Sequence, residues 1–326
     1  MLPSSLSGVR RLLDDRRALR ARRITGSWIY ALIRTVFLLG FAFIILYPVI
    51  IMISKAFMLQ IDIYDNAVLW IPKHFTLSNI KYAIERMDYW RSLLVTTVVC
   101  GTVTAVQVFV CMMVGYGFAR FEFPAKKLLF VLMLLTIMIP AQIIALPTYI
   151  KLKDFDILGL FRLLFGHGIP LLGSPAAFFL MAFFGMGIRS GLFILILRQC
   201  YTAMPGELED AAAVDGCGSM RTYFRIMLPN AKNSLLTVFL FSVVWYWNDY
   251  YLSSIYLTDY PTVSTTLANL RGRLEMILSS EVVYDPYQIA TMMQAGCLLT
   301  VGLLVIVYLF TQKWFTQGIT ASGIVG

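Results

Sequence analysis

Charged side chains are scarce in this sequence of 326 residues. Asp, Glu, Lys and Arg make up 14% of the chain, whereas the hydrophobic residue types make up 59%. A water-soluble domain of this length carries roughly a quarter charged residues. With a mean hydropathy of +0.75, the composition excludes an ordinary soluble protein and predicts an integral membrane protein.

Histidine and cysteine are scarce as well. The sequence has only two histidines, His74 and His167, and its five cysteines include no CxxC pair. These low numbers exclude a histidine-based metal site and argue against a disulfide framework. We therefore predict that the chain binds no metal and no cofactor of its own and has no catalytic residues.

The sequence also lacks the signature of an ATPase. There is no GxxxxGK[ST] loop and no Gly-Lys dipeptide anywhere, although such a loop is what holds nucleotide phosphates in P-loop proteins. The chain is predicted not to be an enzyme. Any ATP–Mg used in its work would be bound by a partner protein.

Positive charge is concentrated at the amino terminus, ahead of the first apolar run. Residues 1–34 contain eight arginines, which are Arg10, Arg11, Arg16, Arg17, Arg20, Arg22, Arg23 and Arg34. Under the positive-inside rule this pattern predicts a cytoplasmic tail over 1–34, followed by an uncleaved signal anchor. A tail that binds nucleic acid or anionic lipid is the alternative.

Apolar runs long enough to cross a bilayer occur six times, since about 20 helical residues span its core. The sequence predicts an all-α membrane protein with six transmembrane helices, at 35–54, 92–119, 128–150, 176–201, 235–257 and 289–311. Six spans place both termini in the cytoplasm, with external segments at 55–91, 151–162 and 258–286. The transmembrane core is predicted at 92–313 and a second cytoplasmic tail at 314–326.

The fourth of these spans is the least regular. Glycines, prolines and Arg189 interrupt the apolar sequence between Leu163 and Cys200. We therefore expect the span itself at 176–201, and a shallow or re-entrant approach to it at 163–175.

An acidic, alanine-rich segment at 205–229 lies between the fourth and fifth spans. Pro205 suits a first helical position, and the acids that follow favour a helix amino terminus. Gly216 and Gly218 allow a turn, after which Ser219 begins a second helix that is predicted to end before Pro229. The segment is predicted to form a cytoplasmic helix-turn-helix that docks another protein. The alternative is a solvated amphipathic connector.

The spacing of this segment resembles the EAA loop of bacterial ABC-importer permeases. Asp210-Ala211-Ala212 is followed by three residues, Gly216, nine residues, Ile226, one residue and Leu228-Pro229. Asp210 stands where the family usually has glutamate. The Pro140-x-Gln142 pattern, Trp247-Asn248-Asp249 and the ending 318–326 resemble MalG-like carbohydrate permeases, which usually carry a lysine near the position of Val325.

The resemblance implies a type I ABC importer permease in a bacterial cytoplasmic membrane, which would carry a carbohydrate such as an oligosaccharide. Glycerophosphodiesters and uronic-acid oligomers are alternatives within the family. It implies a MalF-like second permease, two copies of a cytoplasmic ATPase and an extracytoplasmic solute-binding protein as partners, and no nucleic acid. The ATPase would contact Glu209, Asp210, Ala211, Ala212, Gly216, Ile226, Leu228 and Pro229.

Four residues are candidates for the solute path. Arg189 is predicted near the middle of the fourth span, where a charged side chain is expected to have a function. The alternative is a helix break at which Arg189 reaches water or backbone carbonyls. Trp247, Asn248 and Asp249 could stack on and bond a sugar, although an interfacial aromatic belt also explains them. Gln107 and Gln142 are predicted to bond between helices.

A secondary transporter driven by an ion gradient is the rival class. It would need acids within the membrane and matching broken helices in two repeated halves. The predicted spans offer Asp249 and Arg189 but no evident half-to-half symmetry.

Overall fold

The computed structural model describes the backbone of residues 4–278 and 286–323, and the side chains of 30–277 and 287–312. Of the predicted tails at 1–34 and 314–326, the side chains of 1–29 and 314–326 lie outside the described residues. The helices are α1 Ser4–Ala56, α2 Gln60–Ile63, α3 Ser78–Met87, α4 Tyr89–Arg120, α5 Lys126–Met138, α6 Ala141–Lys153, α7 Leu160–Phe165, α8 Ala176–Phe183, α9 Ser190–Ala203, α10 Glu207–Val214, α11 Ser219–Thr222, the π-helical turn π1 Tyr223–Met227, α12 Leu228–Asn230, α13 Lys232–Asn248, α14 Tyr251–Tyr256, α15 Val263–Leu278 and α16 Pro286–Gly323.

The prediction of an all-α protein is confirmed. Over the residues that the structure describes, extended pairing is limited to two isolated bridges, Met58 with Phe75 and Phe155 with Ile169. Both bridges close loops between helices.

The predicted count of six uninterrupted spans is not confirmed. Within the described chain, three helical stretches are long and apolar enough to cross a membrane: Tyr30–Ala56, Tyr89–Arg120 and Tyr287–Gln312. Two further candidates are bent pairs, α5 with α6 at 106° and Ser219–Asn230 with α13 at 76°. The described residues therefore contain three helices that could cross a membrane, or five spans if each bent pair is one.

Proline explains the break in the predicted span 128–150. Ile139 leaves the helical conformation at ψ 120°, as expected for a residue that precedes proline. Pro140 then begins the turn into α6, and it has no N–H with which to continue α5.

Glycine and Arg189 explain the break in the predicted span 176–201. Gly185 and Arg189 both have positive φ, 71° and 61°, a left-handed conformation that ends a right-handed helix. The result is a helix of 8 residues (α8) and one of 14 (α9) separated by the helix break (residues 184–189). The predicted span 235–257 also ends early, at Asn248.

Helix α4 occupies the centre of the packed core, against α8, α9 and α13. Gly115 permits the close approach to α9, because a Cβ built there would lie 3.0 Å from Leu197 Cβ and 3.1 Å from the Arg198 backbone nitrogen. By contrast, the apolar window of α1 is 0% buried within the chain. That exposure suits the hydrocarbon of a bilayer.

The predicted external segment 55–91 folds over the ends of α1 and α16. The Asn79 amide donates to the carbonyls of Ala56 and Met58, at 3.2 and 2.9 Å, and its oxygen accepts from Thr291 at 3.3 Å. Asp62, which is 2% exposed, accepts from the His74 backbone N–H at 2.7 Å and lies 2.6 Å from His74 Nδ1. These contacts fix the segment because the buried side chains of Asn79, Thr291 and Asp62 have lost water and need partners within the protein.

Candidate functional site: the acidic segment and the helix break

The acidic segment (residues 205–229) contains two helical arms with a turn between them. The first arm is α10, which begins at Glu207 rather than at the predicted Pro205. The turn is closed by Cys217 N–H, which donates to the Ala212 carbonyl at 2.8 Å, and by Gly216 at φ 72°. Glycine adopts this left-handed conformation without a Cβ penalty, which explains its place in the turn.

The second arm continues further than the sequence predicted. It passes from α11 through the π turn π1 into α12, and Pro229 lies inside this arm instead of after it. Pro229 is in the first turn of α12, where a missing N–H interrupts few helical bonds. π turns are frequent where a protein needs a local irregularity for function.

The two arms expose only part of the predicted docking set. Asp210, Ala211, Gly216 and Pro229 are exposed, Ile226 and Leu228 are half-buried, and Ala212 is 2% exposed. Between the exposed members lie two apolar side chains that the prediction omitted, Val214 at 88% and Met220 at 63% exposure. Apolar side chains this open, beside acids and a glycine turn, form a surface suited to another protein.

Glu209 faces the core instead of the exposed surface. Its carboxylate accepts a hydrogen bond from the Tyr116 hydroxyl at 2.6 Å and lies 3.2 Å from Arg120 Nε. Arg120 also donates to the Met204 carbonyl at 2.7 Å. These contacts attach α10 to the end of α4 and to the residue after α9. These contacts could not be predicted from the sequence, since the partners are 84 to 93 positions apart in the chain.

The helix break is held in place by buried polar side chains of α4 and α13. The Gln107 amide donates to the Ile188 carbonyl at 2.7 Å and to Ser190 Oγ at 2.8 Å, and Gln107 Oε1 accepts from Ser242 at 2.9 Å. The Tyr246 hydroxyl accepts from the Ile188 N–H at 3.2 Å. Gln107 therefore bonds between helices as predicted, and the network satisfies backbone groups that the break leaves free.

Arg189 lies at this break with an exposed side chain. Its guanidinium carbon is 4.5 Å from the centroid of the Trp245 ring, which is a cation–π contact. Among the described residues it has no ion pair with an acid. The structure contains the helix break that was the alternative expectation at this position, and the predicted depth of Arg189 near the middle of the membrane stays a prediction.

The other candidates for the solute path occupy different environments. Trp247 is buried and donates to the Thr300 carbonyl at 3.4 Å. Asp249 accepts from the backbone N–H and hydroxyl of Ser253 at 2.7 and 2.8 Å, which caps α14. Asn248 is exposed and donates to the Val244 carbonyl at 2.9 Å. Of the predicted set, only Arg189 and Asn248 thus lie on an exposed surface.

The described part of the chain is thus α-helical, with helices long and apolar enough to cross a membrane and an acidic helix-turn-helix segment between two of them. A family profile described as binding-protein-dependent transport system inner membrane component matches residues 107–321. Because this match covers more than half of the chain, the protein belongs to that family. It is therefore a membrane permease subunit of an ABC transporter and not itself an enzyme.

Individual relatives agree with the family. The chain is 26% identical over 301 residues to the sn-glycerol-3-phosphate transport system permease protein UgpE of Escherichia coli (strain K12) and to that of Shigella flexneri serotype 5b, covering 90% of this chain and 97% of each relative. It is similar in fold to a bacterial ABC transporter involved in the import of the acidic polysaccharide alginate, with a TM-score of 0.67, 18% identity, and coverage of 91% of this chain and 98% of that one. The resemblance to carbohydrate ABC importer permeases is confirmed.

Proposed function

We propose that this chain forms half of the translocation path of an ATP-driven importer for a carbohydrate, an oligosaccharide in particular. A MalF-like permease would supply the other half. Two copies of a cytoplasmic ATPase would bind ATP–Mg, and an extracytoplasmic solute-binding protein would deliver the solute. The family match and the relatives support this assembly, with both termini of the chain in the cytoplasm of a bacterial cell.

The acidic segment carries the proposal for coupling. It combines the residue spacing of an EAA loop with an exposed turn at Gly216, an exposed acid at Asp210 and an open apolar side chain at Val214. No other described surface joins this motif to a protruding pair of helical arms. We propose that these exposed residues enter the ATPase, while Glu209 and Ala212 face the core of the chain and do not contact the ATPase.

The helix break carries the proposal for the solute. The Arg189 guanidinium is an exposed polar group at the break that Gln107 holds, and the Asn248 amide is an exposed polar group at the end of α13. An unpaired cation facing hydrocarbon would be costly, so a water-filled path suits Arg189 better than lipid does. We propose that the solute bears an acidic group, in keeping with the solutes named for UgpE and the alginate importer.

Co-purification of the ATPase subunit tests the proposal. Wild-type chain is compared with Asp210→Ala and Gly216→Asp, after solubilisation of the whole importer in mild detergent. Among the described residues of this chain, no other group lies within 4 Å of a Cβ built at Gly216. A loss of ATPase in Gly216→Asp would therefore report the closeness of a partner in addition to backbone strain.

Each result decides between two classes of protein. ATPase that elutes with the wild type and is lost from both variants supports an importer permease docked through the acidic segment. If no ATPase associates with the wild type, and uptake into vesicles follows an imposed proton or sodium gradient, the protein is a secondary transporter and the proposal fails.

A further inference from the structure

Two neighbouring acids of α10, Glu209 and Asp210, face different sides of the helix. Asp210 is exposed, whereas the Glu209 carboxylate faces inward, where it accepts a hydrogen bond from Tyr116 and forms an ion pair with Arg120 of α4. Successive residues of a helix are about 100° apart around its axis, so adjacent side chains need not share a face. The acid that can meet a partner protein is therefore a different one from the acid that holds the segment to the membrane core.

The contact of Glu209 with α4 is well shielded. The Arg120 and Glu209 side chains are 17% and 24% exposed, and Tyr116 is buried. Partly buried ion pairs are screened less by water and salt than exposed ones. Since Arg120 also donates to Met204 at 2.7 Å, a single cluster joins α10, the end of α4 and the end of α9.

The second arm of the acidic segment is attached at the same place. Tyr223 of π1 packs its ring 4.6 Å from that of Tyr116, and its hydroxyl lies 3.3 Å from the hydroxyl of Tyr201 in α9. All three tyrosines are buried. Both arms thus rest on α4 and α9, and dense packing of this kind moves as a unit when one part is displaced.

The far end of this connection is the helix break. Tyr116 and Gln107 belong to the same uninterrupted helix, α4, and nine residues of helix separate them by about 14 Å. Gln107 holds Ile188 and Ser190 on either side of Arg189. A displacement of the acidic segment can therefore reach the break through one rigid helix.

We propose that Glu209 is a positioning residue, which with Tyr116 and Arg120 forms a latch that transmits movement of the acidic segment to the helix break. The inference rests on the proposed function, because it assumes that an ATPase moves the acidic segment. It assigns docking to Asp210 and its exposed neighbours, and transmission to the latch. Loss of the latch should leave the ATPase bound but disconnect it from the membrane core.

The experiment uses the whole importer in lipid nanodiscs, with a thiol introduced at the break by Met186→Cys, a position that is 65% exposed. Reactivity toward a charged methanethiosulfonate reagent is measured without nucleotide and after trapping with ADP and vanadate. The same complex without Met186→Cys gives the background from the native cysteines. Glu209→Gln and Tyr116→Phe are tested in this background. Glu207→Gln, which removes an exposed charge from the same helix, is the matched control.

We expect Glu209→Gln and Tyr116→Phe to keep wild-type amounts of bound ATPase and of trapped nucleotide. The nucleotide-dependent change in thiol reactivity should fall at least about fivefold, the lower end of a typical coupling between sites. Glu207→Gln should leave that change intact. This pattern, which a purely structural role for the latch would not produce, supports the inference.

Two results would overturn the latch. If both variants lose the ATPase as Asp210→Ala does, Glu209 acts in docking or folding and not in transmission. If both keep the ATPase and the full change in reactivity, movement reaches the break by another route. A third result would contradict the proposed function itself. In that result the complex with an intact latch binds the ATPase, but the thiol reactivity at position 186 does not change when nucleotide is trapped.

Discussion

The Arg189 guanidinium stacks on the Trp245 ring, with 4.5 Å between its central carbon and the ring centroid. The contact joins the break between α8 and α9 to the exposed side of α13, where Trp245 is 41% exposed. Stacking orients a planar guanidinium and leaves the N–H groups at its edge available for a carboxylate or phosphate. The pair thus presents a fixed cation at a point where the core helix is interrupted.

Replacing Arg189 with glutamine is expected to lower uptake of an acidic carbohydrate by roughly tenfold, the value of about one charge-assisted hydrogen bond. Assembly should be unchanged, because the side chain is exposed. Arg198→Gln is the matched control, since Arg198 also stacks on a ring, that of Phe130 at 4.3 Å. Uptake into proteoliposomes and the yield of the intact complex are measured together. A loss of both in equal proportion would mean that Arg189 serves assembly and not the path.

The crossing of α4 and α9 supplies a second prediction. A Cβ at Gly115 would lie 3.0 Å from Leu197 Cβ and 3.1 Å from a backbone nitrogen, whereas a Cβ at Gly117 meets nothing within 4 Å. Gly115→Ala should therefore force the two helices apart, at a cost of about 1–3 kcal/mol. Gly117→Ala should be neutral or slightly stabilising, since alanine is favoured over glycine in a helix. Thermal unfolding of the purified complex distinguishes them, and equal midpoints would contradict this packing.

Much of the helical architecture could be predicted from composition and pattern. Long uncharged runs predicted α1, α4 and α16, because their length alone matches a bilayer. Where the sequence contains prolines and glycines, the same reasoning predicted helices that are longer than the observed ones. Pro140 and the glycines before Arg189 were visible in the sequence, but whether a proline or glycine bends a helix or ends it depends on the neighbours that satisfy the freed backbone. For Ile188 those neighbours are Gln107 and Tyr246, more than 50 positions away.

The candidate site was predictable only in its local part. The turn at Gly216 follows from residue type and spacing, and the structure places it there. The direction of each side chain does not follow, because it depends on which core helix the segment meets. Glu209 and Asp210 are adjacent acids with the same local signal, yet only Glu209 has Tyr116 within reach. The stacking of Arg189 on Trp245 is likewise a contact between distant segments.

The contact between Asp62 and His74, in the predicted external segment, predicts that the stability of the fold depends on pH. Burial opposes ionisation of the Asp62 carboxyl, but hydrogen bonds from the His74 side chain and backbone, with its nearby charge, outweigh burial and lower the pKa below 3.8. A lowered pKa stabilises the fold above the ordinary value and ceases to do so as the pH falls through the lower, folded value. We expect the midpoint of thermal unfolding to fall as the pH drops below about 5, and to go on falling until the pH has passed through the lowered pKa of Asp62.

Asp62→Asn should lower that midpoint at neutral pH and weaken its dependence on acid. Asp65→Asn is the matched control, because Asp65 pairs with Lys73 on an exposed surface, where ion pairs contribute little. Equal effects of the two substitutions would show that the burial of Asp62 does not matter to the external segment.

The turn of the acidic segment supplies the last prediction. Gly216 has φ 72°, whereas Gly218 has φ −73° and ψ 160° at the amino terminus of α11. In the part of the chain that the structure describes, an added Cβ at either glycine meets no other group within 4 Å, so the backbone conformation distinguishes them. Serine at position 216 should cost about 1–2 kcal/mol, while serine at 218 suits the N-cap. Gly216→Ser should therefore weaken ATPase association and Gly218→Ser should not.

Comparing asparagine with serine at position 216 separates the effect of backbone strain from the effect of side-chain size. Asparagine tolerates the left-handed conformation better than serine does, although its side chain is larger. If strain in the turn is what disturbs docking, Gly216→Asn should retain more bound ATPase than Gly216→Ser in a pull-down at matched expression. If asparagine is the worse of the two, the partner requires an empty volume beside Gly216, and the close approach of the ATPase, not the shape of the turn, explains the glycine.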